Sequence, residues 1–235
     1  MSINSKRYVI IPAAGIGSRM NVNTPKQYLK LSNKTTILDS TLECFISDEF
    51  FDKIIICLSS DDILWVKSKY YNHDKIITCT GGDTRFDSVF NGLKTIINTL
   101  DSDSWVFVHD AARPCVKSED IKNLYNQVSR SSNQCGILAI KAYETVKKVV
   151  DCQISGTIDR SYVWLAQTPQ LATANKLFDS FNYCVDNHLS NKITDESYAL
   201  EYYGIQPIVV EGSRSNIKIT TQEDLLFIEW FNQVS

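Results

Sequence analysis

The sequence has few residues of the kinds that bind transition metals or build disulfide frameworks. Its 235 residues include seven cysteines, and no two of them form a C-x-x-C pattern. Histidine occurs at only three positions, His73, His109 and His188. These counts argue against a structural zinc site, a thioredoxin-type redox motif and a histidine-rich metal site. We expect the cysteines to be mostly buried, reduced thiols.

A strong excess of charge and long apolar runs are also missing. Lys and Arg total 24 and Asp and Glu total 27, so the net charge is −3. A nucleic-acid scaffold usually carries a basic excess, so nucleic acid is not an expected partner. No apolar run approaches the roughly 18 residues of a membrane span. Residues 1–11 lack the apolar core and cleavage site of a signal peptide, so we expect a cytoplasmic protein without a membrane partner.

Three common catalytic motifs are absent or incomplete. Gly15 and Gly17 begin a glycine-rich segment, but Met20 stands where a dinucleotide fingerprint needs glycine or alanine. Neither the Walker A motif nor the G-x-S-x-G motif of the α/β-hydrolases occurs. Hydride transfer, P-loop nucleotide hydrolysis and serine-hydrolase chemistry are therefore weak candidates.

What the sequence does contain is a regular alternation of apolar strands and amphipathic helices. A capping box, Thr220-x-x-Glu223, predicts a final helix. Strands that are apolar on both faces and alternate with helices are typical of a parallel sheet between two helical layers, a three-layer α/β fold. We predict strands at 7–11, 53–58, 76–79, 105–108 and 136–140, and helices at 36–46, 61–69, 86–100, 119–130 and 197–203.

One segment departs from this alternation. Residues 145–150 and 153–158 are rich in β-branched side chains and flank Asp151-Cys152, so we predict a β-hairpin that projects from the sheet. Neither a repeat nor a low-complexity linker interrupts the chain. We therefore expect a single domain over residues 1–235 with an inserted arm at about 141–160.

The candidate binding residues follow the predicted strands, since ligands of open parallel sheets bind beyond the carboxyl ends of the strands. After the first strand, the loop 12–20 carries Gly15 and Gly17, which can adopt positive φ and turn backbone N–H groups towards phosphate. Arg19 and Lys26 add positive charge. Taken alone, this segment could also be a tight turn with two surface cations.

Two further strand ends carry polar groups. After the third strand, Gly81 and Gly82 are followed by Asp83, Arg85 and Ser88, and this group could hydrogen-bond the edge of a nucleobase. Taken alone, Asp83 is better explained as a helix N-cap. After the fourth strand, Asp110 could contact a metal ion or a ribose, and Arg113 could bind an anion. A structural Asp–Arg pair would explain both of these residues as well.

Two other polar residues have simpler expectations. We expect His109 to be buried and hydrogen-bonded rather than a catalytic base. Lys218 is predicted in a strand before the last helix, and it matters for chemistry only if it meets Arg19 and Lys26. No nucleophilic triad is evident. The remaining cations, small residues and few acids are the groups that phosphoryl-transfer enzymes use to position and neutralise their substrates.

Seven short motifs occur in order along the chain: P-A-A-G-x-G-x-R-M from Pro12, P-K-Q-Y from Pro25, G-G-D-x-R-x-x-S from Gly81, H-D-A-A-R-P from His109, T-P-Q from Thr168, T-D-E from Thr194 and N-I-K-I-T from Asn216. Together they resemble the 2-C-methyl-D-erythritol 4-phosphate cytidylyltransferase family of the non-mevalonate isoprenoid pathway. The resemblance spans most of the chain, and it implies a nucleotidyltransferase variant of the Rossmann-like sheet with a projecting arm.

The resemblance also implies a reaction and the residues that perform it. CMP would pass from CTP to methylerythritol phosphate with release of pyrophosphate, in a homodimer joined through the arm, with Mg²⁺ or another divalent cation as cofactor. The implied catalytic residues are Arg19, Lys26 and Lys218. The implied CTP contacts are Pro12, Ala13, Ala14, Gly15, Gly17, Gly82, Asp83, Ser88 and Asp110, with Asp110 near the metal ion, directly or indirectly. The implied polyol-phosphate contacts are Arg113, Thr145, Thr168, Thr194 and Arg160 of the partner subunit.

One motif departs from the family pattern, and two alternatives remain open. The arm commonly has Arg-Asp-Thr where this chain has Tyr143-Glu144-Thr145, so we expect its contacts to the sugar to differ. A cytidylyltransferase for another polyol phosphate, such as ribitol 5-phosphate, would share the CTP side and differ in the arm and the loop around position 194. A non-catalytic nucleotide-binding module would have no need of Arg19, Lys26 and Lys218 together.

Overall fold

A seven-stranded sheet flanked by helices forms the centre of the computed structural model, which describes residues 5–15, 24–101 and 103–234. The strands are β1 (Arg7–Pro12), β2 (Lys53–Leu58), β3 (Ile76–Thr80), β4 (Trp105–Val108), β5 (Cys135–Lys141), β6 (Val146–Val150), β7 (Gln153–Ile158), β8 (Trp164–Thr173) and β9 (Ile208–Glu211). The helices are α1 (Ile37–Ile46), α2 (Arg85–Ile96), α3 (Ser118–Val128), α4 (Ala174–Asp186), α5 (Glu196–Tyr202) and α6 (Gln222–Val234). The order across the sheet is β3–β2–β1–β4–β8–β5–β9.

Helices cover both faces of the sheet because successive side chains of a strand point to opposite sides. In β1, Val9 and Ile11 belong to a buried cluster with residues of α1 and α3. Tyr8 and Ile10 of the same strand belong to a second cluster with residues of α2, α4 and α5. These two clusters cover the two faces of the sheet, and the predicted three-layer α/β fold is confirmed. Within the described part of the chain, no helix has the length and apolar character needed to cross a membrane.

The sheet is mixed, which corrects the prediction of a parallel sheet. β8 runs antiparallel to both of its neighbours, β4 and β5, whereas the other pairs are parallel. The connection explains this direction: after β5 the chain leaves the sheet through the arm and returns directly, without a crossover helix. A strand that returns without a crossover runs in the opposite direction to the strand before it.

The helix predicted at 61–69 is wrong. Only a single turn of 3₁₀ helix, Trp65–Lys67, occurs there. The Asp62 carboxylate accepts hydrogen bonds from the N–H groups of Leu64 and Trp65 at 2.8 and 2.9 Å, and these bonds hold the entry to this short turn. Asp62 therefore bonds to the backbone of a tight turn rather than opening a longer helix.

Two predictions near the end of the chain are also corrected. Lys218 lies in a segment without regular secondary structure, not in a strand. The last helix starts one residue later than the predicted capping box requires. Asp224, rather than Glu223, accepts hydrogen bonds from the N–H groups of Thr220 and Thr221, both at 2.8 Å.

The two strands predicted around Asp151 and Cys152 are present as a separate two-stranded sheet, β6–β7. Asp151 and Cys152 adopt positive φ angles of 48° and 62°, as a type I′ hairpin turn requires. Val149, Val150 and Ile154 are 54%, 54% and 67% exposed. A lone two-stranded hairpin is only marginally stable in water, so the arm carries apolar surface that is free for contact.

Candidate active site

A cavity of about 590 Å³ lies at the carboxyl ends of β1, β3 and β4. This is the edge at which open α/β sheets bind ligands, and the volume is typical of a small-molecule site. Gly17 and Arg19 lie outside the described residues. Ten of the residues predicted to bind CTP or act in catalysis line the cavity: Pro12, Ala13, Ala14, Gly15, Lys26, Gly82, Asp83, Ser88, Asp110 and Lys218.

The first loop is held by hydrogen bonds to neighbouring segments. The N–H of Ala13 donates to the carbonyl of Cys57 at 2.8 Å, which continues the pairing of β1 with β2. The buried side chain of Gln27 donates from Nε2 to the carbonyl of Ala13 at 2.6 Å. Gly15 does not adopt the left-handed backbone conformation, so the positive φ that glycine permits is not used at this position. The loop reaches the cavity without that feature at this position.

Lys26 and Lys218 reach the cavity from distant segments. Lys26 Nζ donates to the carbonyl of Ile219 at 3.2 Å. The N–H of Ile219 donates in turn to the carbonyl of Ala112 at 2.9 Å. Lys218 Nζ forms an ion pair with Asp110 Oδ2 at 3.0 Å. Lys26 and Lys218 therefore line one cavity. The predicted meeting of Lys218 with Arg19 is not tested, because Arg19 lies outside the described residues.

A pair of glycines forms the cavity wall after β3. A Cβ at Gly81 would lie 2.6 Å from the nearest side-chain atom, and a Cβ at Gly82 would lie 2.3 Å from the Cβ of Asp87. Ser88 Oγ accepts a hydrogen bond from the N–H of Gly82 at 3.0 Å and lies 3.0 Å from the carbonyl of Thr84, to which it can donate. Only glycine permits this close approach, so the backbone itself lines the cavity here.

Asp83 is not the N-cap of α2. Thr84 holds that position: its Oγ1 accepts from the N–H of Asp87 at 3.1 Å, and Asp87 Oδ2 accepts from the N–H of Thr84 at 3.2 Å. Asp83 is exposed and lines the cavity. The capping explanation of Asp83 is therefore wrong, and its contact with CTP stays a prediction.

Asp110 is the centre of a cluster of ion pairs. Its Oδ1 lies 3.1 Å from Arg85 Nε, and its Oδ2 lies 3.2 Å from Arg113 Nε and 3.0 Å from Lys218 Nζ. Its N–H donates to Thr168 Oγ1 at 3.0 Å. Burial alone would raise the pKa of the Asp110 carboxyl, but the three cations hold this pKa well below its usual value. Asp110 is therefore a fixed anion that holds cations at the edge of the cavity.

Arg85 connects this cluster to a second buried carboxylate. Its Nη1 and Nη2 donate to Oε1 and Oε2 of Glu196 at 2.7 and 3.1 Å. Burial would lower the pKa of Arg85, but the charges of Glu196 and Asp110 reverse this and raise it. The guanidinium is thus a permanent cation between two anions.

Arg85 was predicted only as one of the polar residues after the third strand, and it does line the cavity. Glu196 was not assigned to the site, and the N-cap of α5 is its neighbour Asp195. One signal was available: Glu196 stands four positions before Leu200, on the buried face of α5. A carboxylate on an apolar face needs a buried partner, and Arg85 is that partner.

His109 is buried and hydrogen-bonded, as predicted. Its Nε2 lies 3.0 Å from the carbonyl of Arg113, and its Nδ1 lies 3.0 Å from Thr168 Oγ1. Because a carbonyl can only accept, Nε2 carries the proton and Nδ1 accepts from the Thr168 hydroxyl. Burial lowers the pKa of His109 to about 4. A neutral imidazole committed on both nitrogens holds the Asp110 loop in place.

Arg113 and Thr168, two predicted polyol-phosphate ligands, contact Asp110 without lining the cavity. Arg113 Nη1 also donates to the carbonyl of Asn216 at 2.6 Å. Asn216 Nδ2 donates to the carbonyl of Thr168 at 2.7 Å. These two residues therefore have a structural role around Asp110, and their contact with substrate stays a prediction.

Thr145, Thr194 and Arg160, the other predicted polyol-phosphate ligands, are exposed and do not line the cavity of their own chain. Arg160 Nη1 donates to the carbonyl of Tyr143 at the base of the arm. The single chain thus brings together the predicted CTP side of the site but not the predicted polyol side.

The donors near the cavity suit one kind of metal ion. Among the described residues there is no group of three or more His, Cys, Asp or Glu side chains that could enclose a metal. Asp83 and Asp110 are the two acids that line the cavity. Mg²⁺ is commonly held by one or two carboxylates, with substrate phosphates and water as its other ligands. The cavity therefore fits a Mg²⁺ that arrives with a nucleotide, and it does not fit a metal enclosed by the protein alone.

Similarity to known proteins is consistent with this geometry. The family model described as "IspD: 2-C-methyl-D-erythritol 4-phosphate cytidylyltransferase" matches residues 8–233. The 2-C-methyl-D-erythritol 4-phosphate cytidylyltransferase of Vesicomyosocius okutanii is 44% identical over 228 residues, with 93% of each chain covered. The enzyme of the same name from Ruthia magnifica is 42% identical over 234 residues, with 97% of each chain covered.

A solved structure shows the same fold. The crystal structure of Francisella tularensis 2-C-methyl-D-erythritol 4-phosphate cytidylyltransferase (IspD) matches with a TM-score of 0.85 and 53% sequence identity. The match covers 96% of this chain and 99% of that one. Both the family model and the relatives span nearly the whole chain. The chain therefore belongs to the 2-C-methyl-D-erythritol 4-phosphate cytidylyltransferase family and is a nucleotidyltransferase.

Proposed function

We propose that this enzyme transfers CMP from CTP to 2-C-methyl-D-erythritol 4-phosphate, giving 4-diphosphocytidyl-2-C-methyl-D-erythritol and pyrophosphate. The names of its relatives contain both the phosphorylated alcohol and the cytidylyl transfer. The observation that carries the proposal is that Lys26 and Lys218, far apart in sequence, line one cavity at the strand ends. Two fixed ammonium groups in such a cavity suit a triphosphate.

The nucleotide side of the cavity has a polar end and a charged end. The backbone at Gly81-Gly82, fixed by Ser88, offers a close-fitting edge for cytosine. Lys26 and Lys218 would lie along the triphosphate, and Arg19 would join them from the loop after β1. The lining supports this arrangement, since it combines small residues after β1 and β3 with Lys26 and Lys218.

The reaction needs fixed positive charge more than it needs a general base. The phosphate of the acceptor is already an anion at neutral pH, so its oxygen attacks the α-phosphorus of CTP without losing a proton. A new P–O bond forms as the bond to the leaving pyrophosphate breaks in line. Negative charge moves onto the pyrophosphate, where Arg19, Lys26 and Lys218 neutralise it. Neutral, buried His109 has no part in this step.

Asp110 supports the reaction by holding cations in place. Its carboxylate binds Lys218, Arg85 and Arg113, so Lys218 is oriented before the nucleotide arrives. A preorganised cation stabilises developing charge without the cost of moving at the moment of reaction. We propose that Asp110 also holds Mg²⁺, directly or through water. That ion would supply further neutralisation of the triphosphate charge.

A second subunit would complete the polyol side. Thr145, Thr194 and Arg160 lie outside the cavity of their own chain, and the arm between β5 and β8 exposes apolar side chains. A two-fold dimer through the arm would cover this surface equally in both subunits. It would also allow Arg160 of the partner subunit to bind the acceptor phosphate through its planar guanidinium.

Labelled CTP tests the direction of transfer. With CTP labelled at the α-phosphorus, the label is expected in the organic product. With CTP labelled at the γ-phosphorus, it is expected in pyrophosphate. Both results should require methylerythritol phosphate and Mg²⁺. Label from the γ-phosphorus in the organic product would mean that a terminal phosphate moves instead, and the proposal would be wrong.

A further inference from the structure

A second cavity, of about 560 Å³, lies outside the candidate active site. Four lysines line it: Lys30, Lys34, Lys67 and Lys69. Asp39 is the one acidic residue in its lining, so the lining has a net charge of +3. The whole chain has a net charge of −3. Such a local concentration of one sign creates a potential that attracts anions.

Most of these lysines form no ion pair with another described residue. Lys69 forms an ion pair with Glu43. Across residues 5–15, 24–101 and 103–234, Lys30, Lys34 and Lys67 take part in no salt bridge. All three are exposed at the cavity. Like charges gathered without counter-ions repel one another, so a bound anion would stabilise the arrangement.

Asp39, the acid in the lining, has a structural role. Asp39 is buried, and its Oδ1 accepts a hydrogen bond from the hydroxyl of Ser68. This bond joins α1 to the segment that follows the Trp65–Lys67 turn. The carboxylate therefore holds two walls of the cavity together, while the ammonium groups of Lys30, Lys34 and Lys67 remain available to a ligand.

The two cavities are neighbours that share one short element. The 3₁₀ turn Lys26–Tyr28 contributes Lys26 and Gln27 to the first cavity and Tyr28 to the second. Tyr28 donates its hydroxyl proton to Asp62 Oδ2 at 2.7 Å, and this hydrogen bond fixes the orientation of the Tyr28 ring. The second cavity is thus close to the first, but its four lysines do not line the first cavity.

We propose that the second cavity is a binding site for a small anion bearing two or more phosphate groups, separate from the site for CTP. Its volume lies within the range of small-molecule sites. Lysine ammonium groups bind phosphate as compact point charges, and three unpaired ones suit an anion with several negative charges. Inorganic pyrophosphate is the smallest probe of this class.

Pyrophosphate binding can be measured separately at the two cavities by calorimetric titration. Lys218→Ala weakens binding at the first cavity, so it serves as the background in which the second is observed. Lys34→Asn with Lys67→Gln removes two charges from the second cavity. Asn is chosen because Lys34 has a φ of 66°, a conformation that Asn tolerates. Lys6→Gln is the control, since Lys6 is exposed before β1, at the opposite end of that strand.

In the Lys218→Ala background, Lys34→Asn with Lys67→Gln should weaken pyrophosphate binding by about tenfold or more. The reason is that each substitution removes a hydrogen bond between charged groups, which is stronger than one between neutral groups. Lys6→Gln should leave it unchanged, and the Lys34/Lys67 variant should keep its basal turnover. Equal affinity in that variant and the control would overturn the second site. The second site would also be overturned if the wild-type chain bound one pyrophosphate and Lys218→Ala abolished that binding. Turnover with CTP is scored separately, so the proposed function and the second site can fail independently.

Discussion

Asp110 and Glu196, which stand on different segments, bind the same guanidinium. Arg85 donates from Nε to Asp110 and from Nη1 and Nη2 to Glu196. Asp110 in turn holds Lys218 at the cavity. The buried carboxylate of α5 therefore positions a cation of the candidate active site through Arg85 and Asp110, although Glu196 does not line the cavity.

Glu196→Gln should destabilise the fold while keeping the side-chain shape. The variant loses a charged acceptor for Arg85, and a hydrogen bond to a charged group is worth about 1.5–3 kcal/mol. Urea denaturation measures the free energy of unfolding. Glu201→Gln, an exposed position of the same helix, is the matched control and should change little. Equal stability of the two variants would contradict the role assigned to Glu196.

Lys26→Ala and Lys218→Ala should each lower turnover by about 10²- to 10³-fold, the usual effect of losing one contact that is made in the transition state. The reason is the convergence of both ammonium groups on one cavity. Lys6→Ala is the control, because Lys6 is exposed and lies before β1, at the end of that strand opposite to the cavity. A Lys26 or Lys218 variant that is folded by circular dichroism and turns over like the wild type would end the assignment.

The stability of the protein should fall as pH drops from about 6.5 towards 4, in part because of His109. Burial lowers the pKa of His109 to about 4. The unfolded chain therefore binds a proton in this range that the folded chain excludes. Above the pKa of His109 in the unfolded chain, the free energy of unfolding no longer changes through this group. Between that pKa and about pH 4 the loss is up to about 3 kcal/mol.

His109→Gln should flatten this pH dependence, whatever its effect on stability at neutral pH. The free energy of unfolding would be measured at pH 7 and pH 4.5. His188→Asn is the control: His188 is exposed with a φ of 55°, which Asn tolerates. A slope in His109→Gln that equals the slope in the control would show that His109 is not the buried neutral group.

Arg160 should act in the neighbouring subunit. The test mixes two inactive variants, Arg160→Ala and Lys26→Ala, under conditions of subunit exchange. In a mixed dimer, one site has wild-type Lys26 and a wild-type Arg160 of the partner subunit. Random pairing should restore about a quarter of all sites. No recovery, despite demonstrated exchange, would place Arg160 in its own site or outside any site.

Much of the sheet could be predicted because its strands are apolar on both faces. β2 and β4 match the predicted ranges 53–58 and 105–108. β8 was missed because Gln167, Thr168 and Gln170 interrupt its apolar pattern, although all three are buried and hydrogen-bonded in the structure. Sequence periodicity measures side-chain polarity, and it cannot recognise polar groups that find partners from distant segments.

The residues of the candidate active site also differ in whether the sequence could predict them. The residues that directly follow strands, such as Gly82 and Asp110, were predicted because local chain order places them at the sheet edge. The pairing of Arg85 with Glu196 could not be predicted, since it depends on how α5 packs beside α2. Lys218 was assigned to a strand, and its position beside Asp110 depends instead on the irregular segment before α6.

The central claim is that the enzyme transfers CMP from CTP to methylerythritol phosphate, and pyrophosphate release measured over a matrix of substrates tests it most directly. Turnover would be measured for CTP, UTP and ATP, each with 2-C-methyl-D-erythritol 4-phosphate and with ribitol 5-phosphate. The account predicts the highest kcat/KM for CTP with methylerythritol phosphate, because a site that accepts the cytosine amino group leaves groups unpaired with uracil. Equal use of UTP, or a preference for ribitol 5-phosphate, would contradict it.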